Sequence, residues 1–192
     1  MPAGIAGVGA GAHHRSMPEY VSARYGDRRR YLVKALREIS HRTARLVQGM
    51  DEDDLGAPVP DDEWTVAQIV GFLRDSERED LAALQIMTRV DGDPIQERRA
   101  IHGPQERDYE ADDVAELLWD FLTLREETVW LLESAGSAWN YVGIHPFRGE
   151  VSVLTWVQEM SERDLECMWR IQHARDVFRP PGAPSVVGAP DV

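Results

Sequence analysis

Between Ser152 and Phe178 an acid and the chain's one cysteine share a face with a run of apolar residues. Val153, Val157, Met160, Asp164, Cys167, Ile171, Ala174 and Phe178 recur at intervals of four and three, which marks one inward stripe of a helix. Cys167 lies one turn after Arg163. A cation there could lower the thiol pKa and make it a thiolate nucleophile or a redox-sensitive group. A buried free cysteine otherwise behaves as a small apolar residue, and no histidine stands at a fixed spacing to activate it.

A second stripe has a similar interruption. Val66, Ile69, Leu73, Ser76, Asp80, Leu84 and Met87 are apolar at both ends and polar in the middle. Charge inside a core stripe is costly unless paired or solvated, so Ser76, Glu77 and Asp80 imply a cleft or a partner cation. The competing reading rotates the stripe slightly and turns Leu81 inward instead of Asp80. Arg163 is a candidate partner for Glu77, Asp80 or Asp164 in a buried ion pair. The connecting segment AGSAWNYVGIHPFRGEVS gathers Trp139, Tyr141, His145, Phe147 and Arg148. It could line a pocket mouth, or it could be a loop held down by its own aromatics with His145 hydrogen-bonded in a structural role. Arg163, Arg148, Arg98 and Arg99 are the residues that could grip a carboxylate or phosphate, although arginines of an acidic protein also pair with its own acids.

Four long helices must position these groups. Residues 27–50 carry Leu32, Leu36, Ile39, Thr43, Leu46 and Met50 at helical spacing, with a basic outer face expected to pair with acidic neighbours. Thr65 and Gln68 have capping-box spacing at the start of the second helix. Asp113 can cap the third, whose stripe reads Val114, Leu117, Phe121, Leu124, Thr128 and Leu131. The fourth starts at Ser152. Residues 91–111 hold turn-formers without sustained period and read as a long connection. The expectation is an all-α fold, a four-helix bundle with long inter-helix loops whose topology need not be simple up-and-down. Its expected divisions are a disordered Gly/Ala-rich leader at 1–22, a helical bundle at 23–179, and a Pro/Gly-rich disordered tail at 180–192. Translation starting at Met17 would fit this leader.

The formal charge of -13 argues against nucleic acid as a partner, because phosphate binding needs a concentrated basic surface. No apolar run reaches the roughly 18 residues of a membrane span. A secretory signal would place its basic residues before its apolar run, the reverse of what the first residues show. A lone cysteine fits a reducing cytoplasm, which is the expected location.

The blocks EWTVAQIVGFLRDSE, HPFRGEVSVLTWV and ERDLECMWRIQ, spread across residues 27–178, resemble in order and spacing the DinB/YfiT-like superfamily of metal-dependent four-helix-bundle proteins. That resemblance implies a divalent ion such as zinc or nickel, held by one histidine in a HLxDSE pattern and two in a HDxxHxxQI pattern. Three imidazoles on facing helices would leave open positions for water or substrate. In this chain the matching positions are Phe72, Arg163 and Cys167. Phenylalanine has no ligating atom, and arginine brings a permanent positive charge. No metal is therefore expected at the family site, and no other cofactor. The expected function is that of a metal-free bundle acting as a small-molecule-binding or interaction protein, a homodimer, with Phe72, Ser76, Asp80, Arg163, Asp164 and Cys167 lining the pocket. The alternative is a divergent thiol-dependent transferase or hydrolase using the cleft between the second and fourth helices, with Cys167 and His145 as candidate catalytic residues.

Overall fold

A computed structural model describes residues 27–179; the expected leader at 1–22, the first residues of the expected bundle at 23–26 and the expected tail at 180–192 lie outside the described residues. Four long helices dominate: α1 (Arg28–Gln48), α2 (Val66–Arg89), α3 (Val114–Ser134) and α4 (Val153–Phe178). Each begins on a side-chain cap that satisfies an otherwise orphaned backbone N–H. Asp27 accepts from Arg29, Asp113 from Ala115 and Ser152 from Thr155. At α2, Thr65 and Gln68 form the full reciprocal box.

α1 packs against α3 and α4, and α2 packs against the same two. The first turns of α1 (Leu32, Leu36) and α4 (Val153, Trp156, Met160) share an apolar cluster with the last turns of α2 (Leu84, Met87) and α3 (Val129, Leu132). The opposite ends form a second cluster, with Leu46 and Val47 of α1, Ile69 and Leu73 of α2, Leu117 and Phe121 of α3, and Cys167 and Ile171 of α4. α1 and α4 therefore run parallel to each other and antiparallel to α2 and α3. This is not an up-and-down bundle.

Such a topology forces one connection to travel the whole bundle. α2 has 24 residues, about 36 Å at the helical rise, and residues 90–113 bring the chain back along that length to start α3. Ile95 enters one apolar cluster, and Ala100 and Tyr109 enter the other. Tyr109 is fully buried and donates its hydroxyl to Asp75 Oδ2 at 2.6 Å. Its ring lies so close to α2 that a Cβ on Gly71 would come within 2.2 Å of it, so this crossing requires glycine there.

A small antiparallel hairpin, β1 (Val142–His145) with β2 (Gly149–Ser152), leads into α4, and Pro94 bridges to Ile144. The sequence shows no strand here because four-residue strands are too short to display a period of two. The turn that closes them needs Gly149, whose φ is 72°.

Candidate functional site

Midway along the bundle, between the two apolar clusters, lies a layer of charge. α2 supplies Glu77 and Asp80, α3 supplies Arg125 and Thr128, and α4 supplies Asp164, all at most 1% exposed. Arg125 Nη2 donates to Glu77 Oε2 at 2.5 Å and to Asp164 Oδ2 at 2.6 Å, while Nη1 reaches the carbonyl of Leu36 on α1 at 3.3 Å. One guanidinium thus ties together all four helices. Thr128 donates its hydroxyl to Glu77 Oε1 at 2.6 Å.

Arg163 closes the other side. Its Nη2 lies 2.7 Å from Asp164 Oδ1 and its Nη1 2.5 Å from Asp80 Oδ2, with Glu77 at 4.0 Å. Arg98, from the crossover, donates through Nε to Asp80 Oδ1 at 2.6 Å and through Nη1 to Glu159 Oε2 at 3.0 Å. Arg148 in the hairpin also holds Glu159, at 2.5 Å. Glu77, Asp80, Asp164 and Glu159 face Arg98, Arg125, Arg148 and Arg163, four charges against four. The set is neutral as a whole, which offsets the burial of its inner members Glu77, Asp80, Arg125 and Asp164, while Arg98, Arg148 and Glu159 keep contact with solvent at its outer edge.

Environment separates the two central carboxyls. Burial pushes the Glu77 carboxyl above the usual carboxylate range, and the neighbouring Asp164 and Asp80 add to this against the pull of Arg125. Burial alone would raise Asp164 as well, but Arg125 and Arg163 reverse it and hold that carboxyl below the usual range. Burial pushes the Cys167 thiol up to about 12, with Asp164 contributing and Arg163 only partly opposing.

The residues suggested by the sequence are placed as follows. Arg163, Asp164 and Asp80 meet in the charged layer, and Ser76 is buried on α2. Phe72 and Cys167 sit in the apolar cluster below it, with the Phe72 ring edge-on to Trp64 at 5.1 Å. Cavities of about 810, 420 and 250 Å³ open elsewhere, and none is lined by any of these six. Between α2 and α4 at this level, guanidinium groups occupy the space where a cleft was expected. His145 accepts from the Phe147 N–H at Nδ1 and lies 6.3 Å from the Trp156 ring, in the region of the other apolar cluster; it is not brought to Cys167. The rotated reading of the α2 stripe, with Leu81 inward instead of Asp80, does not hold: Asp80 is fully buried, and Leu81 beside it is buried as well, so the inward face is wider than a single stripe.

Arg125 does not stand out in the sequence. The inner stripe of α3 is Leu117, Phe121, Arg125, Thr128 and Leu132, also spaced by four and three, and the neighbouring Leu124 and Leu131 offer a stripe of the same period that is apolar except for Thr128. The signal was Thr128, which belongs to both.

A divalent metal does not fit these residues. At the three family positions stand an aromatic ring, a permanent cation and a thiol kept protonated by burial. The carboxylates nearby already accept hydrogen bonds from guanidinium groups, and among the described residues no group of three or more His, Cys, Asp and Glu is arranged to hold an ion. None of the described helices is long and apolar enough to cross a membrane.

No curated protein matches the chain. Among solved structures, YfiT from Bacillus subtilis, described as a probable metal-dependent hydrolase with an unusual four-helix bundle topology, superposes with a TM-score of 0.61 over 84% of this chain and 87% of its own, at 18% sequence identity. That likeness shows a shared fold. A model of the DinB superfamily matches residues 35–162, more than half of the chain, and the chain belongs to the DinB superfamily.

Proposed function

We propose that this is a DinB superfamily protein that works without a metal at the family position and serves as a small-molecule-binding or interaction protein. The observation that carries the reading is the Arg163 guanidinium, fixed between Asp80 and Asp164, where an imidazole ligand would be needed. A fixed positive charge repels a divalent ion and already satisfies the carboxylates that could attract one. The charged layer then acts as an internal brace that sets the relative positions of the helices.

The thiol-dependent alternative has less support. Cys167 is 3% exposed and its thiol is held protonated, whereas a working nucleophile needs access and thiolate character. The homodimer reading draws on α3, where Trp119 and Trp130 are 67% and 72% exposed. Eleven residues is three helical turns, so the two indoles lie along one side, and large exposed apolar groups of this kind mark interaction surfaces.

Metal analysis of protein purified without chelator tests the main reading. The expected result is no stoichiometric zinc or nickel; one tightly held ion per chain, lost on Cys167→Ala, overturns it. Sedimentation of the native chain beside a Trp119→Glu, Trp130→Glu variant tests self-association, with a dimer-to-monomer change expected.

A further inference from the structure

The neighbouring antiparallel helices α1 and α3 form one outer face of the bundle, and their charges are segregated. α1 carries seven arginines and lysines against one acid, Glu38, in a chain whose formal charge is -13. α3 carries five acids, and its one base, Arg125, is buried. Arg28 and Arg42 of α1 turn to Gln158 and Trp169 of α4, and Arg29 turns to Gly136 and Asn140 beyond the end of α3. Across the seam, Arg37 holds Glu133 at 3.1 Å and His41 lies 3.8 Å from Glu126. Arg30, Lys34 and Arg45 on α1 are exposed and have no partner among the described residues, and the same is true of Glu116 and Glu127 on α3.

The seam between the two helices opens at both ends. A cavity of about 420 Å³ has Val33 and Lys34 on one side and Leu132 and Glu133 on the other. A larger one, of about 810 Å³, sets Val47 and Gln48 of α1 opposite Leu118, Trp119 and Leu122 of α3. Trp119 stands at its rim, 67% exposed, and Trp130 is 72% exposed three turns further along α3. Neither indole has a ring or a cation packed on it among the described residues.

We propose that a second copy of the chain covers this face, in a dimer whose two-fold axis runs parallel to α1 and α3, so that α1 of each chain lies on α3 of the other. The proposal rests on the homodimer reading and extends it from two exposed indoles to a defined pairing. Charge selects the axis. A two-fold axis perpendicular to these helices would stack α1 on α1 and α3 on α3, base on base and acid on acid, and like charges in contact oppose association. The parallel axis joins base to acid twice and closes the assembly at two chains. Rotation about it keeps every residue at its own height along the helices. The Arg37–Glu133 and His41–Glu126 pairs show which residues are level, and one turn beyond the second pair Arg45 is level with Leu122 and Thr123. Trp119, which is level with Val47 and Gln48 because it lines the same cavity with them, is thereby brought to the mouth of that cavity in the other chain. Burial of an indole in such a recess, ringed by opposite charges, is the usual make-up of an interface hot spot.

The test combines sedimentation with cross-linking of the full chain. Arg45→Cys and Thr123→Cys each add one thiol at an exposed position, and the native Cys167 is buried. Mixed and mildly oxidised, the two variants should give a disulfide-linked pair of chains, and neither should do so alone. Lys34→Glu combined with Arg45→Glu should weaken self-association by about tenfold or more. The pairing is overturned, with the homodimer reading intact, if the chain sediments as a dimer but either cysteine variant links to itself as readily as to the other, if the mixture gives no linked pair, or if the charge reversal leaves the dimer unchanged. A native chain that sediments as a monomer overturns both.

Discussion

Arg125 and Asp164 sit 2.6 Å apart with essentially no solvent exposure, and the nitrogen that joins them also holds Glu77 at 2.5 Å. A single donor atom on α3 therefore holds its neighbour α2 and, across the bundle, α4. Replacing Arg125 by Met removes the cation that Glu77 and Asp164 share and leaves the fully buried Glu77 with only the Thr128 hydroxyl at hydrogen-bonding distance, while Asp164 keeps Arg163. Arg125→Met should destabilise the fold by about 3 to 5 kcal/mol, read by urea denaturation. Adding Glu77→Met should recover part of that loss, because the worse-placed carboxyl goes too. Simple additivity of the two single changes would show that the residues do not act as a unit.

The contact between Gly71 and Tyr109 makes a separate prediction about the crossover. Gly71→Ala drives a methyl group into the Tyr109 ring, which has Asp75 as its hydroxyl partner and cannot withdraw without losing it. Overpacking of this kind costs about 1 to 3 kcal/mol. In a Tyr109→Ala background the same substitution should cost much less, and thermal denaturation of the four variants measures the difference.

Much of the fold was readable because the four long helices carry period and caps. Thr65 with Gln68 marked a start that the structure reproduces atom for atom. Asp164 and Asp80 stood out since a charge inside an apolar stripe has few explanations. Arg125 was obscured because Leu124 beside it satisfies the same periodicity, so the local pattern could not say which of two adjacent residues faced inward. Arg98 could not be placed at all, as its position depends on a 24-residue helix being retraced by a connection with no period of its own. Helix direction was hidden for the same reason: spacing defines a face, whereas only the long connection determines that α2 and α3 run parallel.

The carboxyl shifts imply a direction for pH dependence. The hydrogen bond from Arg148 holds Glu159 below the usual carboxylate range, with Arg98 adding to it, and Arg170 does the same for Asp62; Asp164 is also held low. A group whose folded-state pKa is depressed contributes stability that is fully present above its unfolded value, about 4, and lost as pH falls through the folded value. Glu77 has the opposite sign: its raised value favours the protonated form, so its contribution is present at low pH and fades as pH rises through that value. Three groups against one make the fold acid-labile. The melting temperature should fall as pH drops below about 4, and Asp62→Asn or Glu159→Gln should flatten that acid limb while lowering stability at neutral pH. An acid limb identical to the parent's in both variants would contradict the assignment.

Cys167 gives the sharpest separation between the two functional readings. The thiol lies in the apolar cluster with Phe72, Met168 and Ile171, and burial pushes its pKa up to about 12, so at neutral pH almost none of it is thiolate. A disulfide-exchange reagent reacts with thiolate, and it must reach the sulfur. In the folded protein at pH 7 the reagent should therefore label Cys167 only as fast as the chain opens, and denaturant should release one equivalent at once. Because opening governs the rate, Arg125→Met should speed labelling in step with its loss of stability, by about tenfold for each 1.4 kcal/mol. Labelling of the native protein that is rapid and indifferent to Arg125→Met would mean a thiol open to solvent and activated, which is the behaviour that the transferase or hydrolase reading requires.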